Sequence, residues 1–376
     1  MKKEKTILLA AGGTGGHLFP AIALSEELSK HNSNILECNI LECNIHLITD
    51  LRCKKYLTPK LPFKAHIVDL HLNLNGIFAK LKSAWKIVAA CYRSFFLIRK
   101  IKPDVIIGFG GYPTFPSMLI CKLMHIPIIV QEQNSILGKS NHFFAKSAKL
   151  IALSYSNTSN IDESFKSRIC ISGDLIRSSI LKLAAKKGSN AKKFRSKRFH
   201  IFIVGGSQGA RIFSELIPPA LALLKKQHPG ADLFITQQAP KTEQPRIEAL
   251  YDELNIKYEL AEFFHNISEI YDKAQLVIAR SGAGTIAELA ATGLPAIFIP
   301  FPSAAQNHQY FNAKSIEDMG AGWCFVQEEV SAPILAAKLS ELLEDRSLLE
   351  DASRKLLARK TDGSKYLADT ILKIIQ

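Results

Sequence analysis

The chain has 376 residues, 47% of them hydrophobic and 22% charged; that length favours two domains over a single core, and that composition excludes an extensively disordered chain. A formal net charge of +14 favours an anionic partner, whether nucleic acid, an acidic membrane surface or a phosphorylated substrate, without choosing among them. Seven cysteines without any paired C-x-x-C spacing exclude the common zinc and redox motifs and read as reduced thiols of a cytoplasm.

Met1 to Thr6 leads directly into an apolar run that lacks the long h-region and cleavage site of a secretory signal, so no export signal is expected. Thr6 to Ala11 predicts a short strand ending in Gly12-Gly13-Thr14-Gly15-Gly16-His17, and Leu18 to Leu28 predicts a helix with Pro20 near its start. A five-residue segment, Ile35-Leu36-Glu37-Cys38-Asn39, is then repeated as Ile40 to Asn44 and reads as a loop insertion. Apolar runs at Ile45 to Thr49, Val105 to Gly108, Ile126 to Val130 and Leu150 to Leu153 alternate with helical stretches, which predicts a parallel sheet with crossover helices.

Between His71 and Pro103 there is no acidic residue, and Lys80, Lys82, Lys86, Arg93, Arg99, Lys100 and Lys102 interleave with Phe78, Trp85, Val88, Phe95 and Phe96. Such a stretch fits an amphipathic helix lying on an anionic membrane, with a core helix bearing a solvated basic face as the alternative. The longest mostly apolar stretch, Val105 to Val130, is broken by Pro113, Pro116, Pro127, Lys122 and His125 and does not read as a membrane span.

After Lys182 to Arg198, which reads as a polar connection or an exposed helix and loop, the pattern restarts. His200 to Val204 predicts a strand leading into Gly205-Gly206-Ser207-Gln208-Gly209-Ala210, then further strands at Asp232 to Thr236, Leu276 to Ile278 and Ala296 to Pro300. The expected class is therefore α/β, with two Rossmann-like halves and a boundary near Asp174 to Lys197.

A glycine loop between strand and helix lets the backbone approach a phosphate, and a tight turn is the plain alternative. Neither loop carries the dinucleotide fingerprint, because its final glycine position holds Leu18 or Ala210. A third loop, Arg280-Ser281-Gly282-Ala283-Gly284-Thr285-Ile286-Ala287-Glu288, opens a helix. Thr285 and Glu288 have capping-box spacing, while Glu288 could instead accept both hydroxyls of a ribose. His17 is a candidate general base, since imidazole ionises near neutrality, or else an ordinary helix-start residue. Gln131-Glu132-Gln133-Asn134 ends an apolar strand and reads as a ligand contact.

Taken in order, Gly12 to His17, Gly108-Phe109-Gly110-Gly111-Tyr112, Glu132 to Asn134, Gly205 to Ala210, Arg280 to Glu288 and Pro300 to Ala313 resemble the MurG family of peptidoglycan glycosyltransferases over residues 6 to about 320. The resemblance implies a GT-B fold, two Rossmann-like domains with parallel sheets facing a central cleft. Residues 1–174 would form an acceptor- and membrane-facing domain, 175–357 a UDP-GlcNAc-binding domain, and a closing helix at about 358–376 would pack back on the first. It implies a donor site of Thr14, Gly15, Gly16, Asn134, Arg177, Ser207, Phe264, Ala283, Gly284, Thr285, Ile286, Ala287, Glu288 and Gln309, with Glu288 on the ribose and backbone near Phe264 on the uracil. The chain departs from the family at Gly173-Asp174-Leu175-Ile176-Arg177, where Gly-Asn-Pro-x-Arg is usual, and at Gln131, where His is common. Asp174 is expected to point away from the diphosphate or to pair with a base.

The implied reaction transfers GlcNAc with inversion from UDP-GlcNAc to the MurNAc 4-hydroxyl of undecaprenyl-pyrophosphoryl-MurNAc-pentapeptide, at the cytoplasmic face of the bacterial inner membrane, with His17 as base and loop amides stabilising UDP. The chain contains no D-x-D triplet, so no metal or other cofactor is expected. Three rivals stand beside this reading: another GT-B transferase with a different lipid acceptor, a UDP-sugar epimerase, and a nucleic-acid-binding protein. The last has charge but no recognition motif in its favour.

Overall fold

The computed structural model describes residues 3–30, 41–70, 77–186, 191–205, 211–304, 307–359 and 362–376. The chain divides into two compact units, Met1–Arg177 with Asp362–Gln376, and Ser178–Thr361.

The first unit carries strands β1 (Lys3–Ala10), β2 (Leu41–Thr49), β3 (Lys64–Ile67), β4 (Val105–Gly108), β5 (Ile128–Glu132), β6 (Leu150–Leu153) and β7 (Ile169–Ile171). They pair in the order β3-β2-β1-β4-β5-β6-β7, all parallel. Helices α1 (Gly15–Lys30), α2 (Ile77–Ile101), α3 (Phe115–Leu123) and α4 (Lys139–Ala145) supply crossovers. With helices on both faces, both sides of β1 are apolar and Ile7, Leu8, Leu9 and Ala10 are all fully buried.

Two local expectations change. Helix α1 begins at Gly15, so Gly15, Gly16 and His17 form its first turn rather than a preceding loop, with the Thr14 carbonyl accepting from the His17 and Leu18 amides. The second copy of the duplicated segment is not a loop insertion: Leu41 to Asn44 form the first half of β2 and pair with Lys3 to Thr6 of β1. The first copy, 35–39, lies outside the described residues.

The second unit repeats the design with α5 (Ser178–Lys186), α6 (Ala191–Phe194), β8 (Phe199–Val204), α7 (Arg211–Gln227), β9 (Leu233–Gln238), α8 (Gln244–Glu253), β10 (Lys257–Ala261), α9 (Ile267–Lys273), β11 (Leu276–Ala279), α10 (Ala283–Thr292), β12 (Ala296–Phe298), α11 (His308–Asp318), β13 (Trp323–Cys324), α12 (Ala332–Glu344) and α13 (Ser347–Ala358). Its parallel order is β10-β9-β8-β11-β12-β13. Phe199, Ile201 and Ile203 of β8 join Leu233 and Ile235 of β9 in one core with Phe213, Leu216 and Ile217 of α7. The segment Lys182 to Arg198 is helical in part, through α5 and α6, as its second reading expected; it belongs to this unit, and Phe194 is buried in the core. The last helix, α14 (Ser364–Ile375), packs on α1 of the first unit and buries Leu367, Ala368 and Ile371. Its entry is fixed by the Gly363 amide on the Asp174 carbonyl (2.8 Å) and by the Ile176 amide on Ser364 Oγ (3.3 Å). Both units thus have the doubly wound α/β architecture expected from the sequence. Among the described residues no helix is long and apolar enough to cross a membrane.

His200 is buried on the other face of β8, where its Nε2 shares a hydrogen bond with Thr236 Oγ1 (2.8 Å). Burial, helped by Lys193, Lys273 and Arg198, pushes its pKa down to about 4. The unfolded chain therefore takes up this proton first as pH falls from about 6.5 to about 4. The second unit should lose up to about 3 kcal/mol of stability across that window. Urea unfolding of the wild type and of His200→Gln at pH 7 and pH 4.5 checks this, and an equal pH slope in the two proteins would rule it out.

Candidate functional site

In each sheet the strand order reverses beside its first strand, between β1 and β4 and between β8 and β11. At such a point adjacent crossovers run to opposite faces and leave the carboxyl edge open, where ligands bind in this architecture. The described strand-to-helix turns singled out from sequence, at Gly12 to His17 and Arg280 to Glu288, lie at these two edges.

At the first edge, the β1–α1 turn is held from below by Asp50. This buried carboxylate accepts from the Gly13 amide (3.0 Å), the Arg52 amide (3.1 Å) and Arg52 Nε (3.0 Å). The Arg52 guanidinium in turn lies 5.0 Å from the centre of the Tyr112 ring. Asp50 satisfies Gly13 and leaves the first-turn amides of Gly15 and Gly16 directed along the axis of α1, without intrahelical acceptors. Thr14 Oγ1 and His17 Nδ1 share a hydrogen bond of 3.3 Å, and the imidazole packs on Gly111. Gly111 has φ +83°, and a Cβ there would stand 2.8 Å from the Gly12 carbonyl oxygen and 3.4 Å from the His17 ring. Glycine at 111 is therefore what allows the β4 loop and the β1 loop to touch.

Gly15 is crowded by Phe19 in the same way, and the Arg177 guanidinium stacks 4.2 Å above the Phe19 ring. That stacking places Arg177 beside the first turn of α1. Asp174 is buried, with its carbonyl engaged by Gly363.

The polar end of β5 divides into two kinds of residue. Gln131 and Glu132 are buried, and both Glu132 oxygens are used internally. Oε1 accepts from the amide and side chain of Asn134 (3.0 and 2.9 Å), and Oε2 accepts from the Gly138 amide (3.0 Å) and Asn141 Nδ2 (2.8 Å). Burial pushes the Glu132 carboxyl up while those four donors act the other way. Its work is to fold the 133–141 loop, so internal hydrogen bonding explains Glu132, and Asn134 is left half-exposed at the edge. Asn141 also lies against Gly110, at φ +89°, which ties this loop to the β4 loop.

At the second edge, α10 starts with Gly282 as its N-cap. Thr285 is then the third residue inside the helix and Glu288 the sixth, which removes the capping-box alternative. Glu288 is buried, and its Oε2 receives the Tyr271 hydroxyl at 3.4 Å. Tyr271 packs on Phe202, and Phe202 packs edge-on against Phe264. One aromatic row therefore connects the 264 loop to Glu288. A Cβ at Gly282 or Gly284 would meet nothing within 4 Å, so the backbone at this helix start is open to a ligand, and amides there favour an anion. Ala283, Ile286 and Ala287 are buried, leaving Gly284 and Thr285 partly exposed.

Ser281 Oγ donates to the Gln309 carbonyl (2.7 Å), and the Gln309 side chain accepts from the Phe301 amide (3.0 Å). Arg280 donates to the carbonyls of Ile299 and Pro300 (2.9 and 2.8 Å) and to Gln327 (2.6 Å). Burial lowers its pKa to about 10. Arg280 and Ser281 thus tie the α10 loop to the loop after β12. Ser207 and most of its glycine loop, 206–210, lie outside the described residues. Asp50 and Tyr271 escape sequence reasoning because each acts through a residue distant in the chain. Only Asp50 carries a local signal, an acidic residue directly after an apolar strand.

Residues 7–153 match the family model described as the glycosyltransferase family 28 N-terminal domain, and 200–367 match its C-terminal domain. A transferase of Rickettsia canadensis is 48% identical over 99% of this chain and 100% of its own length, and one of Rickettsia felis is 45% identical with the same coverage. Both are called UDP-N-acetylglucosamine–N-acetylmuramyl-(pentapeptide) pyrophosphoryl-undecaprenol N-acetylglucosamine transferase. The crystal structure of Acinetobacter baumannii MurG aligns over 99% of both chains, at 27% identity and a TM-score of 0.72. A UDP-GlcNAc 2-epimerase from Neisseria meningitidis shares the fold at 14% identity and a TM-score of 0.65, covering 98% of this chain and 100% of its own.

Gly111→Ala should destabilise the first unit by about 1–2 kcal/mol, because a non-glycine residue would be forced to positive φ against a carbonyl oxygen. An unchanged urea midpoint would show that the two loops separate without cost.

Proposed function

The chain belongs to glycosyltransferase family 28 and, within it, to the MurG transferases, and from that membership we propose its reaction. It transfers N-acetylglucosamine from UDP-GlcNAc to the MurNAc 4-hydroxyl of undecaprenyl-pyrophosphoryl-MurNAc-pentapeptide, with inversion at the anomeric carbon. The observation that carries this assignment is the start of α10: an open glycine backbone suited to phosphate, with a buried carboxylate two turns on and an aromatic row beside it. Glu288 then accepts the ribose hydroxyls, the amides of Ala283, Gly284 and Thr285 meet the diphosphate, and backbone near Phe264 reads the uracil. Ile286 and Ala287 back this turn, and Gln309 faces the sugar. In the first unit Thr14, Gly15, Gly16, Asn134 and Arg177 stand at or beside the open edge of its own sheet. The epimerase similarity extends to the fold alone, and no observation favours that reading over transfer.

His17 is the proposed base. Thr14 and Gly111 fix its ring at the open edge of the first sheet, where an imidazole can take the proton of an attacking hydroxyl. The departing UDP is a stabilised anion at a helix start, which lessens the need for a metal. The lack of any D-x-D triplet supports metal independence.

We assign the excess positive charge to an anionic membrane surface and to substrate phosphates, not to nucleic acid. Helix α2 supports this. It turns Ala90, Ser94 and Ile98 to the core, yet its outer side exposes Trp85 (73%), Val88, Tyr92 (65%) and Phe96 at helical spacing, among Lys82, Arg93, Arg99 and Lys100. A merely solvated basic face would not carry that apolar stripe. Leu123, Met124 and Phe143 are also exposed in the same unit. The protein is accordingly peripheral on the cytoplasmic face of the inner membrane.

Two outcomes are expected. His17→Ala should lower kcat by about a hundredfold or more, in an assay where wild-type transfer from UDP-GlcNAc to a lipid-linked MurNAc-peptide persists in EDTA; near-normal turnover removes the base role. Trp85→Ala with Phe96→Ala should weaken binding to phosphatidylglycerol vesicles at least about tenfold, and undiminished sedimentation with vesicles would sink the membrane assignment.

A further inference from the structure

The second unit contains a cavity of about 510 Å³ that the reaction above does not use. It lies on the side of the sheet opposite the β8–α7 core, because His200, Phe234 and Thr236 line it while Phe199, Ile201, Leu233 and Ile235 face that core. Parallel strands packed by helices on both faces carry aliphatic residues on both. Here the lining face carries His200, Thr236 and Glu259, and the covering helix α9 has only seven residues, a length of roughly 10 Å. The volume is that of a small-molecule pocket.

Charge in the cavity is segregated. Lys193 of α6, Arg198 before β8 and Lys273 at the end of α9 surround His200, whereas Glu259, Asn266 and Glu269 lie on the lining nearer β10 and the start of α9. Every charged group that acts appreciably on His200, namely Lys193, Lys273 and Arg198, opposes its protonation. The potential at that end is therefore positive, even though Arg198 is shared with Asp232 at 3.1 Å. Lys193 is already positioned, with its Nζ donating to the Tyr271 carbonyl at 2.8 Å. Phe234 and Ile270 add an apolar wall.

We propose that this cavity is a second ligand site, separate from the α10 edge, which takes a small molecule bearing a phosphate group, with the phosphate at the His200 end among Lys193, Arg198 and Lys273. A dianion draws more from three convergent cations than a monoanionic carboxylate does. The less charged remainder of the ligand lies along Phe234 and Ile270. Phosphate bound there also favours the protonated form of His200, so binding and proton uptake are linked.

The test follows the imidazole resonances of His200 in the full chain, assigned with His200→Gln, during titration with inorganic phosphate at constant ionic strength set by sodium chloride. A saturable shift of His200 is expected, together with a rise in its pKa at saturation. Lys273→Ala, which removes an exposed side chain, should raise the Kd at least about fivefold, while Glu288→Ala should leave it unchanged. A parallel titration with glycerol 3-phosphate distinguishes the source: tighter binding than inorganic phosphate identifies a phosphate ester as the ligand class, and weaker binding the free ion. A linear drift without saturation, or an unchanged Kd in Lys273→Ala, overturns the proposal.

Discussion

Everything functional in this protein depends on the parallel direction of its strands. A parallel sheet sends every strand end, and every following helix start, to one edge, so backbone amides with no intrahelical acceptor accumulate there. In both sheets the order reverses beside the first strand, which keeps that edge open between diverging crossovers. The starts of α1 and α10 both lie at such points. The chemistry of a phosphorylated donor follows from this geometry before any particular side chain is considered.

Side chains then hold the loops in place. Asp50 and Glu132 do so from within the first unit, each a buried carboxylate whose oxygens accept backbone or amide N–H groups from the turns above. Arg280 does the converse in the second, its guanidinium collecting the carbonyls of Ile299 and Pro300. Leaving any of these partners unsatisfied in the interior is costly, so each loop has one well-defined shape. Glycines at 110 and 111 complete the arrangement, because positive φ and close approach to Asn141, Gly12 and His17 exclude a side chain. His17 is consequently held by packing as well as by its bond to Thr14, an arrangement suited to a base that must meet its substrate in one orientation.

The charge of the chain is distributed by the fold among several tasks. On α2 the basic residues flank an exposed aromatic stripe, the surface proposed above to meet lipid. Around His200 three basic side chains converge on a cavity instead. The same residue types thus stand on an open helix face and in a cavity, and only their surroundings differ.

The sequence by itself determined the two-fold α/β repeat, the central strands and the candidate site. Buried parallel strands read as unbroken apolar runs, and a glycine cluster directly after such a run marks a strand-to-helix turn. It did not reveal the edge strands β3, β7, β10 and β13, because Lys64-Ala65-His66-Ile67 and Lys257 to Ala261 carry charged or exposed residues within short runs, while Ile169–Ile171 and Trp323–Cys324 are too short to show a pattern. Nor did it show that the second copy of the duplicated segment belongs to β2, since only the pairing of Leu41 with Lys3 decides that. The spacing of Thr285 and Glu288 suited a helix cap until Gly282 proved to be the N-cap. The pairings of Asp50 with Gly13, Arg177 with Phe19, and Tyr271 with Glu288 were decided by tertiary structure alone. Local sequence encodes the direction and burial of a strand, whereas a contact between residues far apart in the chain exists only once the sheet has brought their loops to the same edge.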